Sequence, residues 1–239
     1  MSRKKLIAIG CSFTRKTSFT QDTFNPVVHL PGFFHVWPTL LSEKLDMDCL
    51  NLGLGSMGNE YISAKLVDTI LAEKKEDIGL VVLMWSEWQR IDYLDIEGVW
   101  KSVVREGDDW NIMLEYNNTY DATMKSLRYF LMAQMLLKDI PYLMIQGVDT
   151  TQYDLERKAK DIWIQTFLNS KIFDEIDEKK FIGWPIMQEL GGYNVNDILN
   201  KLDPEQKELR VSYENNHPNA EGHKIMSQEI YDAYEKIYI

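Results

Sequence analysis

Ser12 sits in Gly10-Cys11-Ser12-Phe13-Thr14, directly after the apolar run Leu6 to Ile9. A serine at a strand-to-helix turn can expose its hydroxyl, and the N–H groups of such a turn can hold an oxyanion. The hydroxyl is a weak nucleophile until a base takes its proton. The same serine would also serve as a helix cap, so the turn alone decides nothing. A base must come from one of four histidines. His29 and His35 lie in the stretch Val27 to Pro38, with no carboxylate at close spacing. His217 lies in Tyr213-Glu214-Asn215-Asn216-His217-Pro218-Asn219-Ala220-Glu221-Gly222-His223. Glu214 can reach the imidazole Nδ1–H, fixing the tautomer and stabilising the imidazolium. Pro218 suits the first position of a closing helix, which would set His217 on a stiff loop at its start. His217 and His223 as metal ligands would lack a cysteine or a third histidine nearby, so no metal is expected.

Those residues need elements to hold them. Short apolar runs recur at Leu6 to Ile9, Met47 to Leu52, Gly79 to Trp85 and Pro141 to Ile145. Continuous Val/Leu/Ile runs of this length fit strands buried on both faces of a parallel sheet. Between them the 3.6-residue spacing predicts helices over Trp37 to Leu45, Asn59 to Lys74 and Asp121 to Lys138, with a last one from Glu221 to Lys236. Strands alternating with helices read as βαβ units, hence an α/β fold with helices on both faces of the sheet. In such a sheet, ligands bind beyond the carboxyl ends of the strands. Those ends are Gly10-Cys11-Ser12, Gly53-Leu54-Gly55-Ser56, Ser86-Glu87 and Gln146-Gly147. Leu155 to Leu199 is helical and acidic, broken at Gly191-Gly192. Residues 150–205 therefore read as an elaboration or lid within one domain of residues 1–239.

Composition narrows the function classes. The formal charge of −11 argues against a nucleic-acid binder, because phosphate contacts are made mainly by Lys and Arg, and predicts weak attraction to anionic membranes. Cys11 and Cys49 make no disulfide framework, and Cys49 reads as a buried small hydrophobe in a reducing compartment. Arg3-Lys4-Lys5 followed by Leu6 to Cys11 resembles a lipoprotein signal, but the apolar stretch is too short. The expectation is a cytoplasmic protein with no membrane span. Seven Trp and twelve Tyr suit either a packed core or a carbohydrate-facing surface.

The ordered blocks Gly10 to Thr14, Trp37-Pro38-Thr39-Leu40-Leu41, Asn51 to Asn59 and Glu214 to His223 resemble the SGNH (GDSL-like) hydrolase family. Their wording is closest to short members from tailed phages and their bacterial hosts. The resemblance implies a flavodoxin-like three-layer sandwich around a parallel sheet of about five strands. It implies Ser12 as nucleophile and oxyanion donor, His217 as general base, and Glu214 in place of the usual Asp. Gly55 or Ser56 would supply a second oxyanion N–H. The activity implied is hydrolysis of small acyl esters such as acetyl, on small-molecule or glycan substrates, without a cofactor. The third block departs from the family. Its usual Gly-x-Asn-Asp is replaced by Trp85-Ser86-Glu87-Trp88-Gln89-Arg90. Loss of one oxyanion donor costs about 2.7–4 kcal/mol of transition-state stabilisation, and Ser86, Arg90 or Asn59 are the candidate replacements.

Three other readings compete. Gly53-x-Gly55-x-x-Gly58 follows a strand and precedes a helix, as a dinucleotide fingerprint does. It follows the second strand, however, and no acidic residue closes the next strand at the expected distance. A binding or virion-associated protein could keep the fold without turnover, since fold does not imply function. A glycosidase would need a carboxylate pair, and none stands out.

Overall fold

The computed structural model describes residues 3–15, 34–103, 118–150, 157–212 and 215–239. Five parallel strands form the central sheet in the order β2-β1-β3-β6-β7. They are β1 (Lys5–Gly10), β2 (Asp48–Asn51), β3 (Ile78–Trp85), β6 (Tyr142–Gln146) and β7 (Phe181–Ile182). A two-stranded antiparallel hairpin, β4 (Asp92–Leu94) with β5 (Trp100–Ser102), follows β3. The helices are α1 (Trp37–Lys44), α2 (Asn59–Ala72), α3 (Thr119–Leu136), α4 (Arg157–Leu168), α5 (Val195–Leu202) and α6 (Ala220–Tyr238).

Side chains of a strand alternate between faces, and here the alternation sorts the core into two halves. Ile7, Ile9, Val81, Leu83, Trp85, Tyr142 and Met144 point to one face, against Ile62 and Leu66 of α2, Phe130 of α3, and Trp163 and Phe167 of α4. Leu6, Ala8, Leu80, Val82, Met84, Leu143 and Ile145 point to the other, against Trp37 and Leu41 of α1, Leu199 of α5, and Met226 and Ile230 of α6. Three layers follow, as expected from the sequence. Every residue of β3 is buried, which is why its run carries no polar residue.

The tryptophans go mainly to the interior. Trp37, Trp85, Trp88 and Trp163 are buried, and Trp88 stacks on Trp163 with ring centroids 5.5 Å apart. Cys11 packs beneath its turn as a small hydrophobe. Cys49 does not: it is exposed on β2, because that strand forms the edge of the sheet. The last helix also differs in its start. Asn219 is the N-cap, accepting from the N–H groups of Glu221 and Gly222 at 3.0 and 3.1 Å, so Pro218 stands before the helix instead of inside it. Among the described residues, no helix is long and apolar enough to cross a membrane.

Candidate active site

The strand ends converge as the parallel topology requires. Gly10 lies opposite Met84, and Trp85 opposite Gln146, so the loops after β1, β3 and β6 leave the sheet on one edge. The turn after β1 closes through Thr14 N–H donating to the Cys11 carbonyl at 3.0 Å. Ser12, at its apex, is half-buried while Cys11, Phe13 and Thr14 are buried.

Two glycines allow this turn to lie where it does. A Cβ on Gly10 would stand 2.2 Å from Thr14 Oγ1, and a Cβ on Gly53 would stand 2.4 Å from the Thr14 carbonyl carbon. Arg15 bridges Gly53 in parallel fashion, and Leu54 N–H donates to the Gly10 carbonyl at 3.0 Å. The Ser12 turn and the Gly53–Ser56 segment are thus fastened backbone to backbone. Ser56 is exposed and holds a left-handed φ of 66°, a conformation that costs a non-glycine residue free energy. Gly55 is half-buried, and among the described residues a Cβ there would meet only Arg15 Cδ, at 3.9 Å.

The C-terminal block reaches the same edge on a hairpin. Arg210 and Pro218 form an antiparallel bridge, and Val211 N–H donates to the His217 carbonyl at 2.8 Å. The Arg210 guanidinium, buried within the loop, donates to the Asn216 carbonyl at 2.7 Å and to Asn200 Oδ1 at 3.0 Å. His217 is half-buried, with its ring packed against Phe13 at 5.5 Å between centroids. The residue next to Ser12 therefore touches the imidazole proposed as its base. Asn215 Oδ1 lies 2.6 Å from His217 Nδ1. Glu214, the carboxylate singled out from sequence, lies outside the described residues, as does His29. The sequence reading passed over Asn215. The signal for it was available: Asn side chains bond the backbone N–H two residues on, and Asn215 does so to His217 at 3.3 Å.

His223 has a structural role. It is buried, and its Nδ1 accepts the Trp37 N–H at 3.2 Å, capping the otherwise uncapped first turn of α1 from α6. Burial, with His217 as a second and smaller cause, drives its pKa down to about 3. His35 is exposed beside Glu43, with Nδ1 3.3 Å from the carboxylate. Among the described residues, no group of three His, Cys, Asp or Glu could hold a metal ion.

The loop after β3 is arranged differently. Ser86 is fully buried; its N–H donates to Asn59 Oδ1 at 2.8 Å and its carbonyl accepts from Gln146 Nε2 at 2.9 Å. Asn59 is buried too, and its Nδ2 donates to Ser126 Oγ at 3.2 Å, so both ends of its amide tie elements together. Arg90 Nε donates to Glu87 Oε2 at 3.3 Å and its Nη1 to the Met57 carbonyl at 3.2 Å. Asn59 and Arg90 are thus engaged in bracing, as is the main chain of Ser86, whereas the buried Ser86 Oγ has no hydrogen-bond partner among the described residues.

One carboxylate in this region was not anticipated. Asp92 Oδ2 accepts the N–H groups of Gly58 and Tyr61 at 2.7 and 3.1 Å, capping α2 from the hairpin. Burial pushes its pKa up to about 6, against the lowering effect of those two hydrogen bonds. The helix terminus following Gly53-x-Gly55-x-x-Gly58 is therefore filled by the protein's own carboxylate. A pyrophosphate would have to displace it, which removes the physical basis of the dinucleotide reading.

Neither a protein-family model nor a curated protein matches the sequence. Solved structures do match its shape. A member of the lipolytic protein G-D-S-L family from Veillonella parvula superposes with a TM-score of 0.51 at 12% identity, over 98% of this chain and 100% of that one. A catalytic mutant of an acetylxylan esterase from Geobacillus stearothermophilus gives 0.52 at 14% identity, over 97% and 94%. A lipase from a goat rumen metagenome gives 0.50 at 14% identity, over 96% and 97%. The chain thus has the α/β fold of the GDSL/SGNH lipolytic proteins and esterases that its sequence blocks resemble.

Proposed function

We propose that this protein is a serine ester hydrolase working through an acyl-enzyme. The observation that carries the reading is the contact between Phe13 and His217, which sets the Ser12 turn against the imidazole loop at the carboxyl edge of the sheet. In this reading, Ser12 Oγ attacks the acyl carbonyl carbon while His217 Nε2 takes the hydroxyl proton. The oxyanion is received by the Ser12 N–H and by that of Gly55 or Ser56. Collapse expels the alcohol, which leaves with the proton held by His217. Water then gives a proton to the same nitrogen and attacks the acyl-serine, and collapse returns that proton to Ser12 Oγ as the acid is released.

The left-handed Ser56 supports this placement of the oxyanion hole, since strained backbone clusters at functional sites. With the Asn59 amide and the Arg90 guanidinium engaged elsewhere, the hole in this reading is built from the backbone donors of the Ser12 turn and the Gly55–Ser56 segment. Short acyl groups are the first substrates to test, and acetylated carbohydrates the first natural class, given the acetylxylan esterase among the structures of like fold. Wild type should label with a fluorophosphonate and hydrolyse p-nitrophenyl acetate, and Ser12→Ala should do neither. Unchanged turnover in His217→Ala would sink the mechanism. A second reading, a binding protein that keeps the fold without turnover, is favoured by Glu87, a buried acid in the loop where the family places an oxyanion amide. Wild type that resists labelling under all conditions would select it.

A further inference from the structure

We propose that the side-chain amide of Asn215 is the group that holds the His217 imidazole and makes Nε2 its basic nitrogen. The proposal rests on the esterase reading for its kinetic consequences and not for its structural one. Asn215 is 1% exposed, and its Oδ1 faces two nitrogens of His217: Nδ1 at 2.6 Å and the backbone nitrogen at 3.3 Å. A backbone N–H only donates, so the Asn215 atom that meets it is the oxygen. An oxygen at that place can only accept, so Nδ1 carries a proton. A neutral imidazole has one N–H, which leaves the lone pair on Nε2.

The hairpin fixes the main chain that carries this amide. Asn215 N–H donates to Ser212 Oγ at 3.1 Å, and its carbonyl accepts from Ser212 N–H at 3.3 Å. This answers the usual objection to an asparagine in this role. In trypsin-like triads an Asp→Asn change lowers kcat by ~10⁴, because the imidazole ends in the wrong tautomer. Here, turning the amide would set its NH₂ against the His217 backbone N–H, donor against donor, so the oxygen stays toward the ring.

An amide orients the ring without adding negative charge at Nδ1. Titratable groups of the described residues stand on the elements around it, and one more adjoins Asn215 in the sequence alone. His223 on α6 has its charged form opposed by that of His217, Arg210 bonds the same loop through the Asn216 carbonyl, and Glu214 is the neighbour in sequence. The ring of Phe13 on the nucleophile side is uncharged.

Long-range ¹H–¹⁵N NMR of the His217 ring tests the assignment without any assay of activity. Wild type should show a single neutral tautomer with the proton on Nδ1. Asn215→Ala should show a mixture. Asn215→Asp, nearly isosteric, should keep the tautomer and move the ring titration up by roughly one unit or more, as a carboxylate beside a cation does. Glu214→Gln should retain the wild-type tautomer. A wild-type proton on Nε2 overturns the proposal with no variant needed, and so does mixing that appears in Glu214→Gln but not in Asn215→Ala. In the esterase assay, the acid limb of kcat/KM for Asn215→Asp should move by the same amount as the NMR titration, and an unmoved limb counts against the role. An absence of both turnover and fluorophosphonate labelling in wild type defeats the esterase reading instead, and leaves the tautomer measured for His217 to decide the role of Asn215 by itself.

Discussion

β1 and β3 are neighbours in the sheet and end at the same level, yet their loops have opposite characters. The loop after β1 presents a half-buried hydroxyl on a turn fastened by backbone contacts. The loop after β3 turns its polar groups inward, where Asn59 and Gln146 take up the main chain of Ser86. A strand-end position on the carboxyl edge is therefore not enough to make a site. What separates the two is whether the polar groups at the strand end are left for a ligand or spent within the fold.

The largest expected effect falls on the first loop. Ser12→Ala should lower ester turnover by at least ~10⁴-fold, while stability stays within about 0.5 kcal/mol, as for other non-core substitutions. Chemical denaturation beside a turnover assay checks both halves. Gly53→Ala comes next, since its methyl must push the Thr14 backbone away. A displacement near 1 Å costs about 10²-fold in rate, so kcat should fall by that order in protein that still folds. The second loop should answer in stability. Asn59→Ala leaves the buried Ser86 N–H without its acceptor and should cost about 1–3 kcal/mol, with turnover of the folded protein changed only a few-fold. A hundredfold rate loss at unchanged stability would instead place Asn59 in the oxyanion hole and break the comparison.

The remaining effects are pH-linked and run in opposite directions. The folded pKa of His223 is near 3, below the unfolded value of 6.5, so unfolded chains bind its proton first on acidification. Its contribution is full above pH 6.5 and is lost as pH falls toward 3. His223→Gln, which keeps an acceptor for Trp37, should flatten this part of the Tm profile. Asp92 behaves the other way: its folded value, about 6, lies above the unfolded 3.8, so its contribution is full below 3.8 and is lost as pH rises through 6. The Tm difference between wild type and Asp92→Asn should change over that window and be level outside it.

Much of the frame was legible in the sequence because periodicity depends on burial. The run Gly79 to Trp85 has buried neighbours on both faces, and its strand was found nearly to the residue. α1 and α2 begin where expected, at Trp37 and Asn59. β7 was missed because two residues carry no period, and β4 because Asp92-Tyr93-Leu94 opens on a carboxylate recruited to cap a distant helix. The candidate site was legible as ordered blocks. The particular contacts were not, because a pairing such as Asn215 with the His217 ring depends on the backbone angles of one hairpin.

The contact between Phe13 and His217 spans 204 positions of the chain, and the Trp37–His223 bond spans 186. At synthesis rates of roughly 5–20 residues per second, the nucleophile turn waits roughly 10–40 s for the imidazole to be made. On the proposed mechanism, a nascent chain holding Ser12 has no base, and so no ester turnover, until most of the sheet has been synthesised. Turnover would then serve as a reporter of completed folding. A truncation before residue 217 should be silent however much of the sheet it retains.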